Sequence, residues 1–212
     1  WKPFGRVLKE GIIEDHANRE RVAKLLRFAS THDDVAEPAI SLEAYCGRMK
    51  EGQNAIYYLT ADSHATAKSS PHIEVFRARG VEVLLLSDPV DEWVVTHLTE
   101  FDGKPLKSVA SGTLDLPGED AAKEAEEASD NPLVARLQKA LEGKAAAVRR
   151  STRLTDSPAC LVGDDHGMSA NLQRILRAAG QEVPPDQRVL EVNLVHPLLQ
   201  RMDVEADEDR FA

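Results

Sequence analysis

The sequence predicts an α/β fold: a layered α/β/α unit around a small, mostly parallel sheet, followed by an α+β unit with a short three-stranded sheet. Ala55-Ile56-Tyr57-Tyr58-Leu59-Thr60 and Val81-Glu82-Val83-Leu84-Leu85-Leu86 are short apolar runs, each closed by turn-forming residues. A helix-length polar interval separates them, as a crossover between parallel strands requires. Past a turn-rich and acidic stretch, Ser111 to Glu127, the apolar period changes to two. That change marks the second unit, and the boundary is placed near Pro117, giving 1–116 and 117–212.

The elements follow in order. Trp1, Phe4, Val7 and Leu8 fall at helical spacing, with Gly11 as a stop. Val22, Leu25, Leu26 and Ala29 form the inner stripe of a helix capped by Asp15 or Asn18. Ser41 opens a short helix whose inner face is Leu42, Tyr45, Cys46 and Met49, ended by Gly52. After the first strand, Ser63 to Lys68 and Pro71 to Arg79 are helical, the latter with Ser70 as N-cap and Gly80 as stop. Ser87-Asp88 caps a helix from Pro89 to Leu98, and Phe101 to Val109 adds an edge strand with Asp102-Gly103 as its turn.

In the second unit, Leu133, Val134, Leu137, Ala140 and Leu141 line a helix ended by Gly143. Strands are expected over Ala147 to Leu154, Ala159 to Val162 and Val189 to Val195. Ser169 to Ala179 forms a helix between the last two, and its stripe Met168, Leu172, Ile175, Leu176 and Ala179 is suited to cover the sheet. Another helix opens at His196-Pro197.

A formal charge of −10 argues against a nucleic-acid partner. The one basic cluster, Arg149-Arg150 with Arg153, is read as an exposed strand end. Glu191 lies between two inward residues, Leu190 and Val192, and is expected at the surface unless the other face is covered. No apolar run is long enough to span a bilayer. Cys46 and Cys160 lack metal or redox spacing and are expected as reduced, partly buried thiols. The chain starts at Trp1 and stops within a charged run, so it is read as a piece of a longer protein.

Sites of chemistry are hard to assemble. The turn Thr60-Ala61-Asp62-Ser63-His64 has no glycine to bring backbone close to a phosphate, and no Walker pattern occurs. Asp164-Asp165-His166 is better suited to loop solvation and capping than to a metal, because adjacent ligands rarely converge on one ion. No serine nucleophile has its usual context. An α/β enzyme with a site around Asp62, Ser63 and Asp88 and a purely structural scaffold or dimerisation module stand as alternatives.

LLRFASTHDD, SLEAYCGRMKEGQNAIYYLTADS, SSPHIEVFRARGVEVLLLSDPVDEW and LTEFDGK together resemble the middle domain of the bacterial ninety-kilodalton heat-shock chaperones. RLTDSPACLV, MSANLQRILRAAGQ and RVLEVNLVHPL resemble the start of that family's C-terminal domain. The resemblance implies a cytoplasmic, homodimeric protein that assists folding under stress. Its ATP and magnesium site and catalytic arginine would lie upstream of this chain, and its dimer-closing helices would follow Ala212. No enzyme activity and no cofactor are expected of the chain itself, and neither nucleic acid nor membrane as a partner.

The resemblance also implies which residues meet unfolded or partly folded clients. One group is Glu92 and Trp93 with Thr96; the other is Met168, Leu172, Ile175 and Leu176. From spacing, Val90, Val94 and Leu98 fill the inner stripe of the Pro89 to Leu98 helix, which leaves Trp93 about one hundred degrees from Val94. An indole there either closes the core edge or stands out as an apolar anchor.

Overall fold

The computed structural model describes residues 1, 3–33, 35–112, 131–164, 167–183, 188–207 and 211. Two sheets organise it: one of five strands, order β1-β3-β2-β5-β4, and one of three, order β6-β8-β7. The strands of the first are β1 (Ala29–Ser30), β2 (Ile56–Thr60), β3 (Leu84–Leu86), β4 (Glu100–Phe101) and β5 (Lys104–Ser108). Those of the second are β6 (Ala147–Arg150), β7 (Ala159–Val162) and β8 (Val189–Val192).

In the first sheet β2 pairs in parallel with both β3 and β5, while the edge strands β1 and β4 run antiparallel to β3 and β5. The two-residue period sends successive side chains to opposite layers. Tyr57, Leu59 and Leu85 pack with Ala67 of α4 (His64–Lys68) and Phe76 of α5 (Glu74–Ala78). Ile56, Leu84 and Leu86 pack on the other side with Ile12, Ala23, Tyr45 and Val94. Those four come from α1 (Gly5–Glu14), α2 (Arg19–Leu25), α3 (Leu42–Cys46) and α6 (Asp91–His97).

Caps set the short helices. Ser41, Ser63 and Ser70 each accept a backbone N–H of the turn they open, and a 3-10 turn, Pro71–Ile73, leads into α5. The hairpin between β4 and β5 turns at Asp102 (φ 51°) and Gly103 (φ 68°), both left-handed as a type I′ turn needs.

Three expectations are corrected here. α1 runs through Gly11 to Glu14, and a Cβ at Gly11 would lie 3.6 Å from Val22, so the glycine sits where α1 and α2 pack rather than at a stop. α2 ends at Leu25, which is exposed, because Leu26 is extended (ψ 148°) and Arg27 donates to the Lys24 and Leu26 carbonyls. Ala29 therefore belongs to an edge strand, not to the helix stripe. The edge strand expected over Phe101 to Val109 is instead a hairpin whose second arm, β5, lies beside β2.

The second sheet has β8 at its centre, parallel to β6 and antiparallel to β7. One face is covered by Leu133, Val134 and Leu137 of α7 (Pro132–Ala140) and by Leu199 of α9 (Pro197–Asp203). The other face turns toward the first unit, and there the sequence reading of charge is overturned. Glu191 is 3 % exposed and Arg153 1 % exposed. The Glu191 carboxylate accepts from Arg153 (2.8 and 3.2 Å), Arg149 (2.7 and 3.1 Å) and Ser151 Oγ (2.9 Å). Arg153 also donates to the Val109 and Gly112 carbonyls, both at 2.6 Å. Of the basic cluster expected at an exposed strand end, Arg150 is exposed and Arg149 partly so, but Arg153 is buried in a clasp between the two units, and the face of β8 opposite Leu190 is covered.

Glu74 makes a second junction contact. Its carboxylate accepts from the backbone N–H groups of Thr155 (2.8 Å), Asp156 (2.9 Å) and Ser157 (3.2 Å), and from Ser157 Oγ. Burial pushes this carboxyl up, but the bonds from Ser157, Asp156 and Thr155 outweigh it, and it sits below its ordinary value. Cys160, on the same face, is a free thiol pushed up to about 12 by burial.

His72 is half-buried in the same region, and desolvation, with Arg153 nearby, pushes it down to about 4. The unfolded chain binds this proton near pH 6.5 and the folded chain only near 4. Stability is therefore complete above about 6.5 and declines as the pH falls toward 4, by up to ~3 kcal/mol. His72→Gln is expected to flatten that branch, measured as the urea midpoint from pH 7 down to 4. An unchanged acid slope would show that the ring does not titrate in this environment.

The boundary near Pro117 and the acidic run after it lie outside the described residues, as do Asp165 and His166.

Candidate functional site

Three consecutive residues of α6, about one hundred degrees apart around the helix, meet three different surroundings. Asp91, 1 % exposed, pairs with Lys9 of α1 at 2.6 Å. Burial pushes its carboxyl above the ordinary value although Lys9 pulls it down. Glu92, 3 % exposed, turns to the second unit, accepting from Ser169 Oγ at 2.7 Å and Asn171 Nδ2 at 2.9 Å. Trp93, 38 % exposed, faces solvent. Val90, Val94 and Leu98 are buried and fill the inner stripe, so the indole stands at its flank. Thr96 is exposed, and its hydroxyl donates to the Glu92 carbonyl at 2.7 Å.

The partners of Glu92 sit at the start of α8 (Ala170–Ala178). Ser169 is its N-cap, accepting from Leu172 N at 2.9 Å while donating to Glu92. Met168, directly before it, is 40 % exposed. The helix buries Asn171 and Gln173 and leaves Leu172, Ile175 and Leu176 only half-buried. Among the described residues, none of Met168, Leu172, Ile175 and Leu176 belongs to the apolar clusters of the core. This corrects the expectation that their stripe covers the three-stranded sheet, a task that α7 and α9 perform. The amide edge turns inward because the Glu92 carboxylate lies there, and a buried carboxylate without donors would cost several kcal/mol.

Glu92 and Ser169 are thus bonded across the junction, with Trp93 following one and Met168 preceding the other. The two groups of residues, far apart in sequence, flank one hydrogen bond. Sequence reasoning missed Ser169, Asn171 and the Lys9–Asp91 pair. Ser169 was visible only as the start of a helix, and nothing there announced a partner across the junction. One turn beyond Trp93, His97 and Leu98 form a wall of a cleft of about 520 Å³ that also meets α2 and the β4–β5 turn.

The strand-to-helix turn after β2 does not fit a triphosphate. Ser63 Oγ already accepts the Thr66 N–H, and α4 is five residues long. Asp88 likewise accepts from Val90 N, so the residues of the enzyme alternative are engaged in capping. Among the described residues no cluster of three His, Cys, Asp or Glu side chains could hold a metal ion, and no helix is long and apolar enough to cross a membrane.

Two sheets thus meet at a polar junction with half-exposed apolar side chains beside it. The Hsp90 protein family model matches residues 1–211, and the chain belongs to the Hsp90 family. It is 59 % identical to the Chaperone protein HtpG of Magnetococcus marinus, over 100 % of this chain and 34 % of that protein. It is 58 % identical to the Chaperone protein HtpG of Alkalilimnicola ehrlichii, over 99 % of this chain and 33 % of that protein. The Methylococcus capsulatus Chaperone protein HtpG is 54 % identical, over 100 % of this chain and 34 % of its own length. The chain spans about a third of the length of these relatives.

Proposed function

We propose that the chain supplies part of the client surface, and the link between middle and C-terminal domains, of an ATP-driven homodimeric chaperone of the cytoplasm. ATP with magnesium is bound and hydrolysed by parts of the parent outside these residues, and this segment carries no turnover of its own. The segment holds unfolded or partly folded chains by apolar contact at Trp93 and Thr96 and at the Met168, Leu172, Ile175 and Leu176 face.

The observation that carries this reading is the exposure of Trp93 and Met168, 38 and 40 %, on either side of the Glu92–Ser169 bond. An indole contributes a large contact area for little lost rotamer freedom, and a thioether adapts its shape to varied partners. Both suit recognition that tolerates many sequences.

Trp93→Ser combined with Leu172→Ser is expected to abolish most suppression of client aggregation by the parent protein while leaving its circular dichroism unchanged. Light scattering of a heat-denatured client measures it. Full suppression by the folded double variant overturns the reading.

A further inference from the structure

We propose that Glu92 is a positioning residue: by accepting from Ser169 and Asn171 it holds the Met168–Leu172 turn beside Trp93, so that apolar patches from two units act as one surface. This rests on the client-binding reading above and assigns Glu92 a task other than touching the client. A side chain 3 % exposed, with both carboxylate oxygens engaged across the junction, is not available to a visiting chain. It is placed to fix where the neighbouring apolar groups stand. Its oxygens divide the work: Oε2 takes the Ser169 hydroxyl and Oε1 the Asn171 amide. Ser169 at the same time caps α8 through Leu172 N, so the bond that ties the units also sets the first turn on which Leu172 sits. Asn171 is held in turn by Arg174, whose guanidinium donates to its Oδ1 at 2.8 Å. Behind Glu92, the Lys9–Asp91 pair holds the same turn of α6 to α1. The carboxylate therefore joins an anchored turn of one unit to an anchored turn of the other.

The geometry makes a test that separates positioning from contact. Ser169→Asp keeps an oxygen to cap α8 but sets a carboxylate against Glu92, and the like charges push the turn away. Glu92→Gln added to it restores a donor and acceptor pair at the same place. Binding of reduced, carbamidomethylated ribonuclease A, a basic and permanently unfolded probe, is followed by fluorescence anisotropy on this chain, with thermal melts as a control of folding. Ser169→Asp is expected to weaken the probe about tenfold, within the reach of a charge-assisted hydrogen bond. The Ser169→Asp/Glu92→Gln pair is expected to recover most of that loss. Asn171→Ala, which leaves the cap intact, is expected to weaken binding severalfold in the same direction.

If Ser169→Asp and Asn171→Ala bind the probe as well as the parent chain or better, Glu92 freed from its partners is a contact, and the positioning role is overturned. If Glu92→Gln fails to rescue Ser169→Asp, the coupling across the junction is overturned too. Trp93→Ser/Leu172→Ser is run alongside. Unchanged binding there refutes the client surface itself, whereas a loss there with none in Ser169→Asp refutes only the latch.

Discussion

Glu191→Ala is expected to cost about 3–5 kcal/mol of folding stability, among the largest losses a single substitution in this chain can produce. Among the described residues, the change removes the one carboxylate bonded to Arg153 and Arg149 and leaves the Arg153 guanidinium, 1 % exposed, with two carbonyls and no carboxylate partner. Arg149 is partly exposed and can turn to water; Arg153 cannot. The damage should fall on the junction, so the urea transition is expected to split or broaden as the units lose cooperation. Arg149→Ala, which removes the more exposed partner, is expected to cost about 1 kcal/mol or less. Urea denaturation followed by circular dichroism compares the two. Equal losses would show that the clasp is not organised around Arg153.

Lys9→Met is the second large effect, also expected at about 3–5 kcal/mol near neutral pH, because it strands the Asp91 carboxylate in the core. Among the described residues, Asp91 then keeps only the Asp88 N–H as a donor, at 3.1 Å. Its carboxyl is already raised by burial, and losing Lys9 raises it further. A raised carboxyl means that the folded state holds its proton more tightly than the unfolded one. The deficit is therefore full above the new folded value and shrinks as the pH falls through it. Adding Asp91→Asn to Lys9→Met removes the charge, keeps an acceptor for Asp88 N, and is expected to recover most of the loss. Thermal melts at pH 7 and 5 check both statements; a deficit that grows on acidification would refute the stranded charge.

Local grammar was legible in the sequence and long-range pairing was not. Ser41, and Ser70 with Pro71, cap the helices they were expected to open, and Ser63 and Ser169, expected as first helical residues, cap theirs from one position earlier, because a cap needs only its own next three residues. The two layers of the first sheet follow from the alternation in β2 and β3. β1 escaped notice because two residues carry no period, and only the pairing of Ala29 with Leu85 and of Ser30 with Leu84 makes them a strand. The charge of Arg153 and Glu191 read as surface, since a sequence shows no face covered by a distant segment. For α8 the apolar stripe was seen, but periodicity cannot tell what a stripe meets. The polar edge went inside because Glu92 needed donors there. Trp93 came out at the flank as spacing placed it, while the partners of its neighbour Glu92, Ser169 and Asn171, lie 77 and 79 residues along the chain.

The seat of the Glu74 carboxylate gives the protein a built-in gauge. Three successive peptide N–H groups at Thr155, Asp156 and Ser157 spend themselves on a single side chain of the opposite unit. Their protons can swap with deuterium only when that side chain withdraws. Exchange at these three positions, timed with and without a bound polypeptide, is therefore expected to report the free energy of releasing that side chain, without any attached dye.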